Sequence, residues 1–305
     1  MKLLVLDEDY REYCQLLSAA GVAADGGDDP HSCDGDYEVL LAQPELAAAY
    51  LGRGGQVAWI QSTWAGVDKL APIARGHELQ VTGVKGIFGQ QMAEYVFAFL
   101  LGQSRSLAYF RQQQVEELWS PRRPTPLAGS TMLVLGTGTI GSHIAGVARA
   151  LGMRTRGVSR SGTAVSQFDK VWTMDELTAA AETVDVLVNT LPSTEQTRGL
   201  IDQALLAQLA ESATVFNVGR GDALCEDSLQ QWLQVRPTAS AVLDVFSSEP
   251  LAQGHWMWQH PRVHVTPHVA AVSLPADVTA IFLDNLERYR RGEDLRFLIN
   301  LAQGY

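Results

Sequence analysis

At 305 residues, with 46% apolar and 19% charged side chains, the chain has the composition of a soluble globular protein and is long for a single core. Its net charge of −11 argues against nucleic acid, because phosphate binding needs a basic surface, although a few local arginines can still hold a small anion. Cys14, Cys33 and Cys225 are widely spaced and odd in number; they form no CxxC pair and no disulfide framework, which suits a reducing cytoplasm.

The N-terminal run Met1-Lys2-Leu3-Leu4-Val5-Leu6 leads straight into Asp7, Glu8 and Asp9. It is too short for a signal peptide and predicts a first strand over residues 3–6. Residues 25–30 (DGGDDP) read as an acidic, turn-rich loop. Residues 37–41, 57–60 and 79–81 read as further strands, with a helix opening at Pro44, a favoured first-turn residue. Strand and helix alternate, which implies a parallel sheet with helices on its faces. Residues 90 to about 117 form one long helical pattern. Its apolar stretch, residues 96–101, is bounded by Glu94 and Gln103 and reads as a buried helix, and no stretch suits a membrane span. The Pro-rich residues 120–126 cannot be helix interior and read as a linker.

A second series follows, with strands predicted over residues 132–135, 155–158, 184–189, 214–218, 239–243 and 263–265. Six strands with intervening helices match a doubly wound dinucleotide domain. A last helix opens at Pro275 and runs to about Arg291. It lies beyond that series, so it is expected to return to the first domain. The expected domains are residues 1–96 with 273–305, and residues 97–272.

Gly136-Thr137-Gly138-Thr139-Ile140-Gly141 is a GxGxxG. Alone it is a weak signal, but here it follows a strand and opens a helix, the context a dinucleotide fingerprint requires. Gly136 permits the tight turn, Gly138 lets the backbone approach a pyrophosphate, and Gly141 lets helix and strand pack. The helix N–H groups at Thr139 and Ile140 face the phosphate. The next strand ends in Ser159-Arg160-Ser161, with no acid before Asp169. A carboxylate there would bind a ribose hydroxyl and repel a 2′-phosphate, whereas Arg160 can grip one and the serine hydroxyls can add donors. This predicts NADPH as the preferred cofactor, with NADH possible.

Arg220, Asp244 and His268 each follow a predicted strand, and Glu249 comes shortly after Asp244. In an open α/β sheet, ligands bind beyond the carboxyl ends of strands. Hydride addition to a ketone makes an alkoxide that needs a proton, and a histidine can give and take one near neutrality. A glutamate on its far nitrogen would orient the ring and favour its charged form. The planar fork of Arg220 suits the carbonyl and carboxylate of a 2-keto acid together. His264 and His268 are four apart, but Pro267 and the strand pattern deny them a shared helix face, so no metal is expected. His255 and His260 flank Trp256-Met257-Trp258, which reads as packing.

Across nearly its whole length the chain resembles the D-isomer-specific 2-hydroxyacid dehydrogenase family, within it the glyoxylate/hydroxypyruvate reductase branch. The resemblance is carried by Asn189-Thr190-Leu191-Pro192 with Thr194, Thr197, Leu200 and Ile201, by Asn217-Val218-Gly219-Arg220-Gly221, by Leu243 to Phe246, by Glu249-Pro250, Trp258 and Pro261, and by Thr266-Pro267-His268. It implies two Rossmann-like parallel-sheet α/β domains, one flavodoxin-like and one dinucleotide-binding, with the active site in the cleft between them. It implies Arg220 as substrate-binding and polarising, His268 as acid/base, Glu249 as its partner, and Asp244 on the nicotinamide carboxamide. Leu191, Pro192, Thr197, Val218, Gly219 and Ala270 are implied along the cofactor. The loop Ser62-Thr63-Trp64-Ala65-Gly66-Val67-Asp68 resembles the family's substrate loop, with the Ala65 and Gly66 N–H groups receiving the carboxylate. Gly86 and Met92-Ala93-Glu94 resemble the entry to the interdomain helix, and Trp119 a residue that reaches a partner subunit's pocket in some reductases.

Three departures stand out. Ser159-Arg160 replaces the usual acid. Ala270-Ala271-Val272-Ser273 replaces a small-Gly pattern after the histidine. Trp64 is bulky for the substrate loop, so it either narrows the site toward glyoxylate and hydroxypyruvate or favours an apolar side chain. The expected activity is NADPH-dependent reduction of a small 2-keto acid to a D-2-hydroxy acid by a cytoplasmic homodimer. The alternatives are a bulkier or phosphorylated 2-keto acid, or a non-catalytic, dinucleotide-sensing binding protein.

Overall fold

The computed structural model describes residues 1–33 and 35–301. They divide into two compact units, residues 1–87 with 273 onward, and residues 88–272. Residues 302–305 of the expected first domain lie outside the described residues. The division falls at 87/88 rather than 96/97. A cut at 96/97 would sever a helix whose buried residues Ala93, Val96, Phe97 and Leu100 all belong to the core of the second unit.

The first unit runs β1 (Leu3–Leu6), α1 (Tyr10–Ala19), β2 (Asp25–Gly27), β3 (Val39–Ala42), α2 (Pro44–Gly52), β4 (Trp59–Ser62), α3 (Ala71–Ala74) and β5 (Gln80–Thr82). Its sheet is parallel in the order β2-β1-β3-β4-β5, the flavodoxin-like order. Leu4, Leu6, Leu40, Ile60 and Val81 pack on one face against Ala47, Leu51 and Leu70. β2 corrects the sequence reading, which took residues 25–30 for a loop. As an edge strand it pairs on one side only, Leu4 with Asp25 through Leu6 with Gly27, and carries no apolar periodicity.

The second unit runs α4 (Gly89–Ser104), α5 (Leu107–Val115), β6 (Thr131–Leu135), α6 (Thr139–Ala150), β7 (Arg154–Val158), β8 (Lys170–Trp172), α7 (Leu177–Ala181), β9 (Val186–Asn189), α8 (Gln203–Gln208), β10 (Thr214–Asn217), α9 (Glu226–Val235), β11 (Ser240–Leu243) and β12 (Val263–Val265). Its seven parallel strands are ordered β12-β11-β10-β9-β6-β7-β8. The expected count was six. The seventh, β8, is a three-residue edge strand too short for a pattern to register.

The expected single helix over 90–117 is two. It breaks where Ser106 takes the left-handed region at φ 54°. Thr125 N–H, on the returning Pro-rich segment, donates to the Ser104 carbonyl and satisfies the end of α4. α5 buries no side chain, so no core packing holds the two helices in line.

Alternate strand residues serve the two faces of this sheet. Leu133, Leu135, Leu187, Val215 and Leu243 meet Leu177, Leu205, Leu206 and Leu229 on one side. Met132, Val134, Val188, Phe216 and Val242 meet Val96, Phe97, Ile144 and Ala145 on the other. Burial on both faces is why these strands read as continuous apolar runs. Each large side chain removed from water contributes roughly 1.5–3 kcal/mol. The final helix, α10 (Pro275–Arg291), belongs to the first unit, where Phe282 stacks on Trp59 at 5.2 Å and 13°.

Candidate active site

Because every strand of the second unit is parallel, the residues that follow them share one edge of the sheet. Neighbouring strands lie about 4.8 Å apart. Read along that edge, the order is His268 after β12, Asp244 and Glu249 after β11, Arg220 after β10, Leu191 and Pro192 after β9, the glycine turn after β6, and Ser159-Arg160 after β7. The strand order reverses between β9 and β6, the switch point where doubly wound sheets bind ligands.

The Arg220 turn is clamped by two fully buried asparagines at strand ends. Asn189 Nδ2 donates to Asn217 Oδ1 at 2.8 Å, and Asn217 Nδ2 donates to the Arg220 carbonyl at 3.0 Å. Asn189 Oδ1 accepts from Leu191 N–H at 3.1 Å, tying the turn after β9 to the same pair. Arg220 is half-buried, and its Nη1 donates to the Gly219 carbonyl at 2.8 Å. Gly221 is required next to it: a Cβ there would lie 1.9 Å from the Phe246 carbonyl carbon.

His268 Nδ1 lies 2.9 Å from Glu249 Oε2, while Glu249 Oε1 accepts from Phe246 N–H at 2.9 Å. An ionised carboxylate only accepts, so Nδ1 donates to Glu249 and a proton exchanged with a ligand would pass through Nε2. Side-chain exposures of 41% and 37% put the pair within reach of a small ligand. His268 itself sits at φ 55°, a conformation that costs a non-glycine residue on the order of 1–3 kcal/mol unless its surroundings hold it.

Those surroundings centre on Asp244, which is 1% exposed. Its carboxylate accepts from Thr266 Oγ1 at 2.6 Å, Val269 N–H at 2.9 Å and Ala270 N–H at 2.9 Å, and its carbonyl accepts from His268 N–H at 2.8 Å. Asp244 therefore builds the histidine loop, a role its position after β11 does not announce. Thr197 likewise acts inside its own loop, donating to the Pro192 carbonyl at 2.7 Å and accepting from Thr194 N–H at 2.9 Å. The Val218 side chain is buried in the core, so only its backbone faces the edge.

The glycine turn has the shape the fingerprint implies. Gly136 sits at φ 99°, and a Cβ on Gly141 would lie 1.9 Å from the Gly136 carbonyl oxygen. At Gly138 a Cβ would meet nothing within 4 Å, which leaves the N-terminus of α6 open, with Thr139 exposed and Ile140 half-buried. After β7, Ser159 Oγ is buried with no hydrogen-bond partner in the described protein, beside exposed Arg160 and Ser161. An orphaned hydroxyl beside an arginine is a donor set suited to an anion.

In the first unit, the loop after β4 is held by the Ser62 hydroxyl, which donates to the Trp64 carbonyl at 2.8 Å and accepts from Trp64 N–H at 3.1 Å. Trp64 is 44% exposed, Ala65 exposed and Gly66 half-buried.

The family model described as "D-isomer specific 2-hydroxyacid dehydrogenase, NAD binding domain" matches residues 97–270. The chain belongs to the D-isomer-specific 2-hydroxyacid dehydrogenases. It is thus an oxidoreductase acting on CH–OH groups. A Glyoxylate/hydroxypyruvate reductase A of Serratia proteamaculans is 31% identical over 281 residues, 88% of each chain. The crystal structure of a D-isomer specific 2-hydroxyacid dehydrogenase family protein from Aeromonas salmonicida subsp. salmonicida is 38% identical, with a TM-score of 0.93 over 98% of this chain and 99% of that one. An NADPH-dependent glyoxylate/hydroxypyruvate reductase from Sinorhizobium meliloti, solved with NADP and sulfate, is 25% identical, with a TM-score of 0.87 over 100% and 99%.

Within this dehydrogenase, sequence reasoning missed the parts that hold the charged side chains in place. The Asn189–Asn217 clamp lies in quoted motifs but had no assigned role. A polar residue closing an otherwise apolar strand is the signal that points to it. Tyr95, whose hydroxyl is 2.6 Å from Thr266 Oγ1, had no local signal, because its partner is 171 residues away.

Proposed function

We propose that this protein is an NADPH-preferring reductase of small 2-keto acids of the glyoxylate/hydroxypyruvate type, giving D-2-hydroxy acids, with His268 as the general acid. The observation that carries the reading is the 2.9 Å His268–Glu249 pair on the strand edge that also bears Arg220 and the glycine turn. When bound, the reduced nicotinamide supplies a hydride to the carbonyl carbon of the substrate. Arg220 holds the carbonyl and carboxylate oxygens and draws electron density toward the carbonyl oxygen. As the C=O electron pair moves onto that oxygen, His268 delivers its Nε2 proton there, and in the reverse direction takes it back. Glu249 keeps the ring turned for that transfer. The loop after β4 is assigned to the substrate carboxylate through the Ala65 and Gly66 N–H groups, with Trp64 limiting substrate size. The first unit is accordingly the substrate domain and the second the dinucleotide domain.

The residues present fit a dinucleotide with a 2′-phosphate. Gly136, Gly138, Thr139, Ile140 and Gly141 receive the pyrophosphate. Ser159, Arg160 and Ser161 take the 2′-phosphate, supported by the orphaned Ser159 hydroxyl and by the NADPH-dependent relative. Leu191, Pro192, Thr197, Val218, Gly219, Asp244 and Ala270 line the remainder. A second copy of the chain covers the apolar surface of α5 and the turn after it, where Leu107, Val115 and Leu118 are exposed and Trp119 is 98% exposed. The three cysteines are free, in keeping with a reducing cytoplasm.

Absorbance at the nicotinamide band, with NADPH or NADH against glyoxylate, hydroxypyruvate and phenylpyruvate, tests the reading. NADPH is expected to give the higher kcat/KM, and His268→Ala to cost on the order of 10²–10⁴-fold in turnover. A near-normal His268→Ala rate assigns the proton to another group, and a higher efficiency with NADH removes the phosphate role of Arg160.

A further inference from the structure

Resting on the reading of His268 as the proton donor, we propose that Tyr95 and Thr266 are positioning residues for that histidine, acting through the buried carboxylate of Asp244. The hydrogen bonds run in one direction. Asp244 as a carboxylate accepts only, so Thr266 gives its hydroxyl proton to Asp244 Oδ1 at 2.6 Å. With that proton committed, the 2.6 Å contact between Tyr95 and Thr266 is a donation from the phenol to Thr266 Oγ1. Burial, with the nearby charge of Asp244 adding to it, holds the Tyr95 phenol well above its ordinary range, so it keeps the proton it donates.

The chain is thus Tyr95 to Thr266 to Asp244, and Asp244 in turn takes the N–H groups of three successive residues, His268 on its carbonyl and Val269 and Ala270 on its carboxylate. Tyr95 stands on α4, whose neighbouring residues Val96 and Phe97 are fixed in the core beneath the sheet. The anchor is therefore a packed helix, and what it steadies is a residue at φ 55° in an exposed loop. Thr266 has a second reason to stay put: its N–H donates to the Leu243 carbonyl at 3.0 Å. Neither residue acts on the reacting atoms. Each limits how far His268 can swing from Glu249 and from the substrate carbonyl.

The test is steady-state kinetics of NADPH oxidation with the 2-keto acid reduced fastest, alongside calorimetry, on Tyr95→Phe, Thr266→Val, Thr266→Ser and His268→Ala. Misplacing a reacting group by about 1 Å can cost on the order of 10²-fold. Thr266→Val is accordingly expected to lower kcat about 30-fold with KM changed less than about threefold, and Tyr95→Phe to lower kcat about fivefold. Thr266→Ser keeps the hydroxyl and is expected within about threefold of the parent. A parental kcat in Thr266→Val, or an equal loss in Thr266→Ser, overturns the inference. Should Thr266→Val melt below the assay temperature, Tyr95→Phe decides by the same kcat and KM split, since it removes a single oxygen. An inactive His268→Ala with a normal Thr266→Val defeats this inference alone; a normal His268→Ala defeats the acid reading and the inference with it.

Discussion

Each unit closes a strand end on a buried carboxylate, and the two are equipped differently. Asp7, after β1 in the first unit, is 3% exposed and receives two donors on its carboxylate, the Thr63 hydroxyl and Asp9 N–H, both at 2.9 Å, and Tyr10 N–H on its carbonyl at 3.1 Å. Asp244, after β11 in the second, is 1% exposed and receives three on its carboxylate and a fourth on its carbonyl. At Asp7 burial prevails over the hydrogen bonds and raises the carboxyl above its ordinary range. Asp7 secures one point of the loop after β4, Thr63, whose carbonyl also accepts from Ser273 Oγ at 2.5 Å. Asp244 shapes an entire turn. The donors around a buried acid decide whether it organises a loop or only pins its start.

The sharpest way to break this comparison is Asp244→Ala. It leaves the buried N–H of Ala270, the part-buried N–H of Val269 and the Thr266 hydroxyl without their acceptor, and is expected to destabilise the protein by on the order of 3 kcal/mol in denaturant unfolding. A loss below that of the first-unit variants would show that the Asp244 donors find other partners. Thr63→Val removes one hydrogen bond from the loop end and is expected to cost about 1 kcal/mol, with little change in the cofactor dependence of the rate. The smallest effect concerns pH. Because the folded protein raises the Asp7 pKa, it binds that proton more tightly than the unfolded chain does. The stabilising contribution is full below the ordinary aspartate value of about 4 and is lost as pH rises through the raised one. Asp7→Asn cannot ionise, so its stability relative to the parent should improve as pH rises from about 4 toward neutrality. A pH-independent difference would place the effect in packing rather than in charge.

How much was legible follows from where each signal lies. β6, β9 and β10 are buried on both faces, so their apolar runs are local and unmistakable. β2 and β8 are edge strands of three residues, stabilised by a neighbour rather than by their own pattern. The break at Ser106 was invisible because what ends α4 is a hydrogen bond from Thr125, within the Pro-rich linker and 21 residues further along the chain. At the site, Arg220, Glu249 and His268 announce themselves as titratable groups behind strands. The asparagine clamp and the Tyr95 chain do not, since a buried hydrogen bond between distant residues leaves no periodicity in either segment.

The order of residues alone determined the two α/β units, the glycine turn and the chemical character of the strand edge. All of these rest on short-range facts: which residues are apolar, which lack a side chain, which carry a charge. Only the tertiary structure decided how that edge is held. It put a phenol from α4 against a threonine after β12, gave one buried aspartate the donors of a whole turn, and left the Ser159 hydroxyl buried without a partner among the described residues. The physical reason is that hydrogen-bond direction and burial are properties of neighbours in space, and these neighbours are up to 171 residues apart along the chain.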